Sequence, residues 1–492
     1  MEQQSSKIPA RDARRSSRVL FILFFVSLPL LNPWVRGDGV GYYAFARAPL
    51  IEHNLDFSHD YQAANPSFRE ARLDENGRPL AFFRTRTGHL DNHFTVGPAI
   101  LWSPFLLLAH AGVLIARAFG SAVPADGFSA PYRIAMAFAT GLYGFIGLLL
   151  SFRLARHYVE ERWALLSTIA IWWASSLPVY MYFNPSWSHA HSAFAVALFL
   201  FYWHKTRSSR AVGQWRQWLV LGLCAGLMMN VYYPNTLILA VLLVEAVPQY
   251  LAALRSRERG GHSVTQLLLR HFLFFAVIFA SLVPTLIARQ IVSGSPFDTG
   301  YISLKDWLWR SPVFLSVLFS SNHGLFVWTP LLLLSIIGLV VFAFRRPAAG
   351  RPLLVAALCF YFFIACYPDW AGISSFGNRF FVSLTSLFVI GLAVFLSAIS
   401  GFFRSRRVAT ATASIVLAYF ILWNFGLMFQ WGSHLIPARG PVSLSEMVYN
   451  QFFVVPGQFS ARLKEYFFKR RALMQQIEQR DIEQLKNAPP EN

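Results

Sequence analysis

Residues 96–119 read VGPAILWSPFLLLAHAGVLIARAF, and whether this stretch crosses a bilayer decides the fold of the whole chain. It is one of twelve apolar runs, the others lying near 18–35, 131–152, 163–183, 187–204, 217–234, 236–254, 271–291, 325–344, 353–368, 380–401 and 408–430. A spanning helix needs about 20 apolar residues, and each run approaches that length. Six short segments between the runs are basic: Lys7/Arg11/Arg14/Arg15/Arg18, Arg153/Arg156/Arg162, Lys205/Arg207/Arg210/Arg216, Arg255/Arg257/Arg259/Arg270, Arg345/Arg346/Arg351 and Arg404/Arg406/Arg407. If 96–119 spans, the N-terminal cluster is separated from the other five. If it lies at the surface or re-enters, all six share one side, as the positive-inside rule requires. Pro98 and Pro104 interrupt the segment and weaken it as a continuous helix. The reading is therefore an all-α polytopic transmembrane bundle of about eleven spanning helices, with the N-terminus in the cytoplasm.

Composition agrees. Of 492 residues, 55% are hydrophobic and only 14% charged, against about 25% charged in soluble chains. The net charge of +19 is dispersed between apolar runs rather than gathered on one face, so topology accounts for it and nucleic acid does not. The three cysteines, Cys224, Cys359 and Cys366, all fall inside apolar runs with no zinc spacing. The basic N-terminus followed by an apolar core is not expected to be a cleaved signal peptide, since no small-residue site follows it. The division is a transmembrane module over 1–430, holding a long first extracytoplasmic loop at about 37–131 with juxtamembrane helices. A partly helical tail follows over 431–492, with a helix expected at Leu463–Lys486 and ending outside. Between Arg36 and Thr95 that loop carries seven basic and eight acidic residues.

With the sides assigned, the polar residues that a lipid-packed bundle does not need fall mostly on the outer side. Asp38 stands in Arg36-Gly-Asp-Gly-Val-Gly-Tyr-Tyr43 directly after the first run, where glycines allow close turns around one carboxylate. Partial desolvation at the membrane boundary would tune it as a general base; a helix cap with an interfacial Asp is the alternative. Tyr43, in the amphipathic segment Tyr42–Asn54, is a candidate substrate contact, as is Asp56, with Asp60 as a further loop carboxylate. His189 and His191 in Asn184-Pro-Ser-Trp-Ser-His-Ala-His-Ser192 lie two apart, which on a helix gives no two-His metal clamp. His189 is the substrate-contact candidate. Arg289, near the end of the 271–291 run, is costly at membrane depth unless it pairs, snorkels or faces a polar cavity. Arg379 closes Asp369-Trp-Ala-Gly-Ile-Ser-Ser-Phe-Gly-Asn-Arg379, where it could take a phosphate bidentately or pair with Asp369 or Asp298. His323 in Ser320-Ser-Asn-His-Gly-Leu-Phe326 is a further candidate. No P-loop, dinucleotide turn, His-Glu-x-x-His or Gly-x-Ser-x-Gly motif occurs.

An Asp directly after the first helix, surface helices in a long first outer loop and an otherwise helical bundle together resemble the GT-C superfamily of polytopic glycosyltransferases. These include the protein O-mannosyltransferases and the aminoarabinose transferases, which use polyprenyl-phosphate-linked sugars. Gly-Asp-Gly-Val-Gly-Tyr-Tyr43, Val96-Gly-Pro-Ala-Ile-Leu-Trp102, Ser320-Ser-Asn-His-Gly-Leu-Phe326 with Pro330, and Ser375-Phe-Gly-Asn-Arg379 carry the local likeness. The resemblance implies that Asp38 deprotonates an acceptor hydroxyl, which attacks the anomeric carbon, usually with inversion, as polyprenyl phosphate departs. Arg379, and Arg289 if it reaches the site, would neutralise the leaving phosphate. Tyr43, Asp56, His189, His323 and Asp369 would bind substrate. Many relatives carry a second acidic residue in the next outer loop, where this chain has His189 and His191; no metal and no cofactor are expected. The expected partners are a polyprenyl-phosphate-sugar donor, a lipid, glycan or protein acceptor and the bilayer, with no nucleic acid. The expected setting is the bacterial inner membrane, with the active site extracytoplasmic. The competing reading is a transporter or flippase of lipid-linked saccharides, which would place ionisable residues near the midplane and show internal symmetry. A topology reporter fused near Arg156 should read cytoplasmic; an extracytoplasmic signal would overturn the assignment of sides.

Overall fold

In the computed structural model, residues 10–211, 214–255, 264–372, 374–437 and 442–487 are described. The basic residues Lys7, Arg257 and Arg259 lie outside them. The chain is helical throughout, and no strand forms among the described residues beyond two isolated bridges in the first loop. The principal helices are α1 (Ala10–Ser27), α2 (Asp38–Arg47), α3 (Gly97–Ala118), α4 (Ala130–Ala155), α5 (Glu161–Trp173), α6 (His189–Ala211), α7 (Trp215–Val231), α8 (Ala240–Arg255), α9 (Val264–Ser293), α10 (Leu331–Arg345), α11 (Pro347–Cys366), α12 (Thr385–Ile399), α13 (Arg406–Gly432), α14 (Val455–Phe468) and α15 (Arg470–Asn487). Seven helical stretches among the described residues are long and apolar enough to cross a membrane: α3, α4, α9, α11, α13, and α8 and α12 with the helical turns that precede them. Together with the apolar side chains they turn outward, such as Phe272, Phe275 and Phe279 on α9, they make this a polytopic membrane protein.

The bundle is built around α12. Every residue from Ser375 to Val394 is buried, and the helix packs against α4, α5, α6 and α10. Lipid is as apolar as leucine, so burial alone gives helices little reason to associate; close packing of small residues does. Gly338 of α10 and Gly391 of α12 meet there, and a Cβ on either would collide with the other helix's backbone.

Contacts place the basic segments at one end of the bundle. Arg156 pairs with Glu161 at 3.2 Å, Arg406 approaches Glu160 at 3.8 Å, and Arg207 pairs with Glu245 at 2.6 Å. Arg207 also donates to the Ala348 carbonyl, and Tyr250 bonds His271 beside Arg270. Arg15, near the start of α1, joins them. Phe24 of α1 stacks on Phe145 of α4, so Arg15, nine residues earlier, lies level with Arg153, eight residues later on the antiparallel α4. Ser27, at the far end of α1, bonds Tyr182 at the other end of the bundle.

This arrangement holds because α3 does not connect the two ends. It starts beside the end of α7, where Thr95 donates to the Val231 carbonyl. Trp102 then bonds Thr140 and His110 bonds Tyr132, so α3 runs along only the first part of α4 before the chain enters α4 itself. Despite Pro98 and Pro104 it is a single 22-residue helix. Pro98 sits in its first turn, where no amide is needed, and Pro104 is accommodated within it.

The first loop is strapped to the bundle by Arg289. Its guanidinium is buried in α9 and donates to the carbonyls of Asn92 and Phe94, both at 2.6 Å. A second anchor inside the loop is Arg47, buried and bidentate on Asp60 and Glu52. Charged hydrogen bonds are worth about 1.5–3 kcal/mol each. Arg289→Met should therefore lower stability by roughly 3 kcal/mol, seen as a lower melting temperature in detergent. An unchanged melting temperature would show that the loop is held by other contacts.

Candidate functional site

The end of the bundle opposite the basic segments holds a cavity of about 1900 Å³. Asp38 lies at its wall, at the start of α2. Gly37 places it there with φ +54°, a conformation that costs glycine least, beneath the ring of Trp187. Gly39 lies so close to Ser186 that a Cβ would strike the hydroxyl. The turn thus presses the carboxylate against the segment 184–188, and Trp187 locks it by donating from Nε1 to the Arg36 carbonyl at 3.0 Å.

Arg379 arrives from the other side, in a helical turn, Arg379–Leu384, that leads into α12. Its Nη1 stands 2.9 Å from Asp38 Oδ2. The guanidinium lies over the ring of Trp187 at 4.6 Å, a cation–π contact that fixes its plane and gains strength when desolvated. Among the described residues, Nε has no hydrogen-bond partner and Nη1 makes no well-aligned hydrogen bond. A buried, oriented fork with unused donors is suited to an anionic group.

Two further sequence candidates line this cavity: His189 and Asp369. His189 packs edge-on to Tyr180 at 4.7 Å, and its Nδ1 has no partner among the described residues. The remaining candidates lie elsewhere. Tyr43 points away, donating to the Gly127 carbonyl at 2.6 Å and packing near Trp102. Its neighbour Tyr42, about 100° round the helix, is the one that lines the cavity and accepts from Ser188; burial pushes its phenol above the ordinary value. Asp56 is an exposed turn residue whose Oδ1 accepts from the amide and hydroxyl of Ser58. Asp60 pairs with Arg47, and Arg289 is occupied by two loop carbonyls. His191 is buried against Trp102 and Tyr143. His323 is buried with φ +63°, its Nδ1 bonded to the Ala371 carbonyl at 2.9 Å; burial pushes its pKa down to about 4. It braces the 369–379 turn that delivers Arg379. No group of three or more His, Cys, Asp or Glu stands where it could hold a metal among the described residues.

Sequence reasoning missed three contributors. Trp187 was quoted with its histidines but given no role, although an aromatic beside a candidate arginine is a cation–π signal. Tyr232, Tyr233 and Tyr301 lie in turns that looked like plain connections. The largest omission is the tail, which folds back beside Asp38. Arg470 donates to the Leu31 carbonyl at 2.6 Å and Tyr466 to Leu30 at 2.6 Å. Glu478 accepts from Asn65 and the Ser67 amide, and Asp481 pairs with both Arg36 and His434. Against its burial, the His434 hydrogen bond and the Arg36 charge hold the Asp481 carboxyl below its usual range. The expected single helix at Leu463–Lys486 is two, broken at Lys469 between α14 and α15. Both line the cavity with apolar side chains, among them Leu463, Phe467 and Ile477, facing Phe425 and Phe429 of α13. The cavity therefore joins the Asp38–Arg379 pair, and further charged side chains such as Asp298 and Asp369, to a long apolar flank.

No family model and no curated protein sequence matches the chain. Solved structures with a similar course include the crystal structure of ArnT from Cupriavidus metallidurans bound to undecaprenyl phosphate, at 12% identity and a TM-score of 0.47 over 94% of this chain and 79% of that one. The apo form of the same protein aligns at 12% identity and a TM-score of 0.45, over 90% and 74%.

Proposed function

We propose that the protein is a membrane glycosyltransferase of the GT-C type. In this reading it moves a sugar from a polyprenyl-phosphate-linked donor to an acceptor hydroxyl on a lipid, glycan or protein. The observation that carries the reading is the Asp38–Arg379 pair at 2.9 Å on the wall of a large cavity with an apolar flank. A carboxylate next to a guanidinium supplies a proton acceptor and an anion binder within one substrate's reach, and the apolar flank suits the prenyl chain.

The donor phosphate is taken by the unused donors of Arg379. As it binds, the phosphate shares the positive charge of Arg379 with Asp38. The acceptor O–H then passes its proton to Asp38 while its oxygen forms a bond to the anomeric carbon. The bond from that carbon to the phosphate oxygen breaks, its electron pair leaving on the phosphate, where Arg379 stabilises the charge. Asp38 afterwards releases the proton to water. Base catalysis contributes typically 10²–10⁴-fold, and the remainder falls to positioning and charge stabilisation. We assign the cavity to the extracytoplasmic face of a bacterial inner membrane, because the described basic segments gather at the opposite end. A transporter fits less well, since its charged groups would sit at the midplane.

Asp38→Asn should leave the protein folded and inserted while reducing sugar transfer from a polyprenyl-phosphate donor by about 10²-fold or more. Arg379→Ala should chiefly raise the donor KM. Undiminished transfer by Asp38→Asn would remove it as base, and unchanged donor kinetics in Arg379→Ala would remove the phosphate assignment.

A further inference from the structure

One wall of the cavity is fastened differently from the rest. Helix α15 lies along it, and Leu473, Met474, Ile477 and Leu485, at helical spacing on one face, line the hollow. Among the described residues, no side chain of α15 belongs to either of the two apolar cores of the protein. The apolar face that such a helix would bury against its neighbours is turned to the cavity instead. Polar ties along its rim keep it in place.

The ties reach two separate elements. On the first loop, Glu478 accepts from Asn65 Nδ2 and from the Ser67 amide, both at 2.9 Å. Asp481 pairs there with Arg36, and Lys486 with Glu70 at 3.1 Å. At the end of α13, Asp481 bonds His434 at 2.9 Å and Arg480 donates to the Ser433 carbonyl at 2.6 Å. α15 therefore runs as a strap from the first loop to α13. α14 is held by its rings: Phe459 packs on Phe429 at 5.7 Å and Tyr466 on Phe183 at 5.6 Å. The helix breaks at Lys469, and the next residue, Arg470, is pinned to the carbonyls of Pro29 and Leu31. A pinned break, with a packed helix before it and a rim-tied helix after it, is the layout of a hinge.

The kind of contact decides which side moves. Charged and hydrogen-bonded groups lifted from a rim regain partners in water, so their net worth is small. Parting packed apolar surfaces costs in proportion to their area. A segment with few buried apolar contacts is the one that opens without the rest, and α15 is that segment.

We infer that α15 is a latched lid, swinging about Lys469 to uncover the apolar flank of the cavity and held shut through Glu478 and Asp481. The inference goes beyond the glycosyl-transfer reading and stands without it, because it concerns access to the cavity and not what reacts there.

The test is electron–electron double resonance on the full-length protein in lipid nanodiscs, with the half-buried native thiol Cys359 changed to Ala. Spin labels at Glu483→Cys on α15 and Arg133→Cys on α4, both exposed, report the lid. Labels at Arg133→Cys and Val408→Cys, the latter on α13, report the bundle. Glu483 lies about 20 Å beyond the hinge, so a swing of roughly 30° carries it about 10 Å. Wild type should show one main lid distance. In Glu478→Gln/Asp481→Asn, a component longer by about 10 Å should be at least tenfold more populated, with the bundle distance unchanged. Arg480→Ala/Lys486→Ala, which breaks only exposed ties, should raise the same component by a smaller factor. A lid distance unmoved in both variants makes α15 a fixed wall and overturns the inference. A bundle distance that shifts together with the lid distance overturns it too, since the ties would then shape the bundle instead of holding a lid.

Discussion

One ion pair organises the cavity end of this molecule: Asp38 against Arg379, 341 residues apart in sequence and 2.9 Å apart in space. Two charges at the edge of a membrane bundle persist only if each answers the other or a ligand, and the surrounding structure exists to keep them facing. On one side Gly37 and Gly39 press the first turn of α2 under Trp187. On the other, His323 braces the 369–379 turn and the buried length of α12 fixes where Arg379 emerges. Trp187 serves both partners, bonding the backbone before Asp38 and carrying the guanidinium on its face.

Around that pair the cavity divides its labour by chemistry. Charged side chains gather about Asp38 and Arg379, the apolar flank is long, and tyrosines line the turns between them. The division reflects three different suppliers: the two ends of the ion pair from the first loop and α12, the apolar flank from α13 with the tail, and the phenols from connecting turns. The histidines, by contrast, differ in use. His189 opens on the cavity, His191 is sealed against aromatic rings, and His323 supports a turn.

Much of the architecture was legible in the sequence because membrane helices announce themselves by length and apolarity. The run at 96–119 forms an unbroken helix rather than one split at its prolines, and it meets α4 through Trp102 with Thr140 and His110 with Tyr132. Asp38, Arg379, His189 and Asp369 were legible as polar residues beside turns. Which polar residues face the cavity was not. Tyr43 and Tyr42 differ by one step on a helix, and only packing against Gly127 and Ser188 tells them apart. Arg289 looked like Arg379, yet two loop carbonyls occupy it, and carbonyl positions leave no trace in residue type. The tail was read as an appendage because its contacts with residues 29–36 and 65–67 span more than 400 positions.

Those distant contacts bear on how the protein is made. A chain threaded into the membrane from its first helix onward produces Asp38 early and then continues for hundreds of residues before its counter-ion exists. The cation that pairs with Asp38 and the apolar wall of the cavity both come from later segments. The constellation closes only after α15 has emerged and brought Asp481 to Arg36. The cavity wall is therefore completed by the segments furthest from Asp38 in the chain, α15 above all.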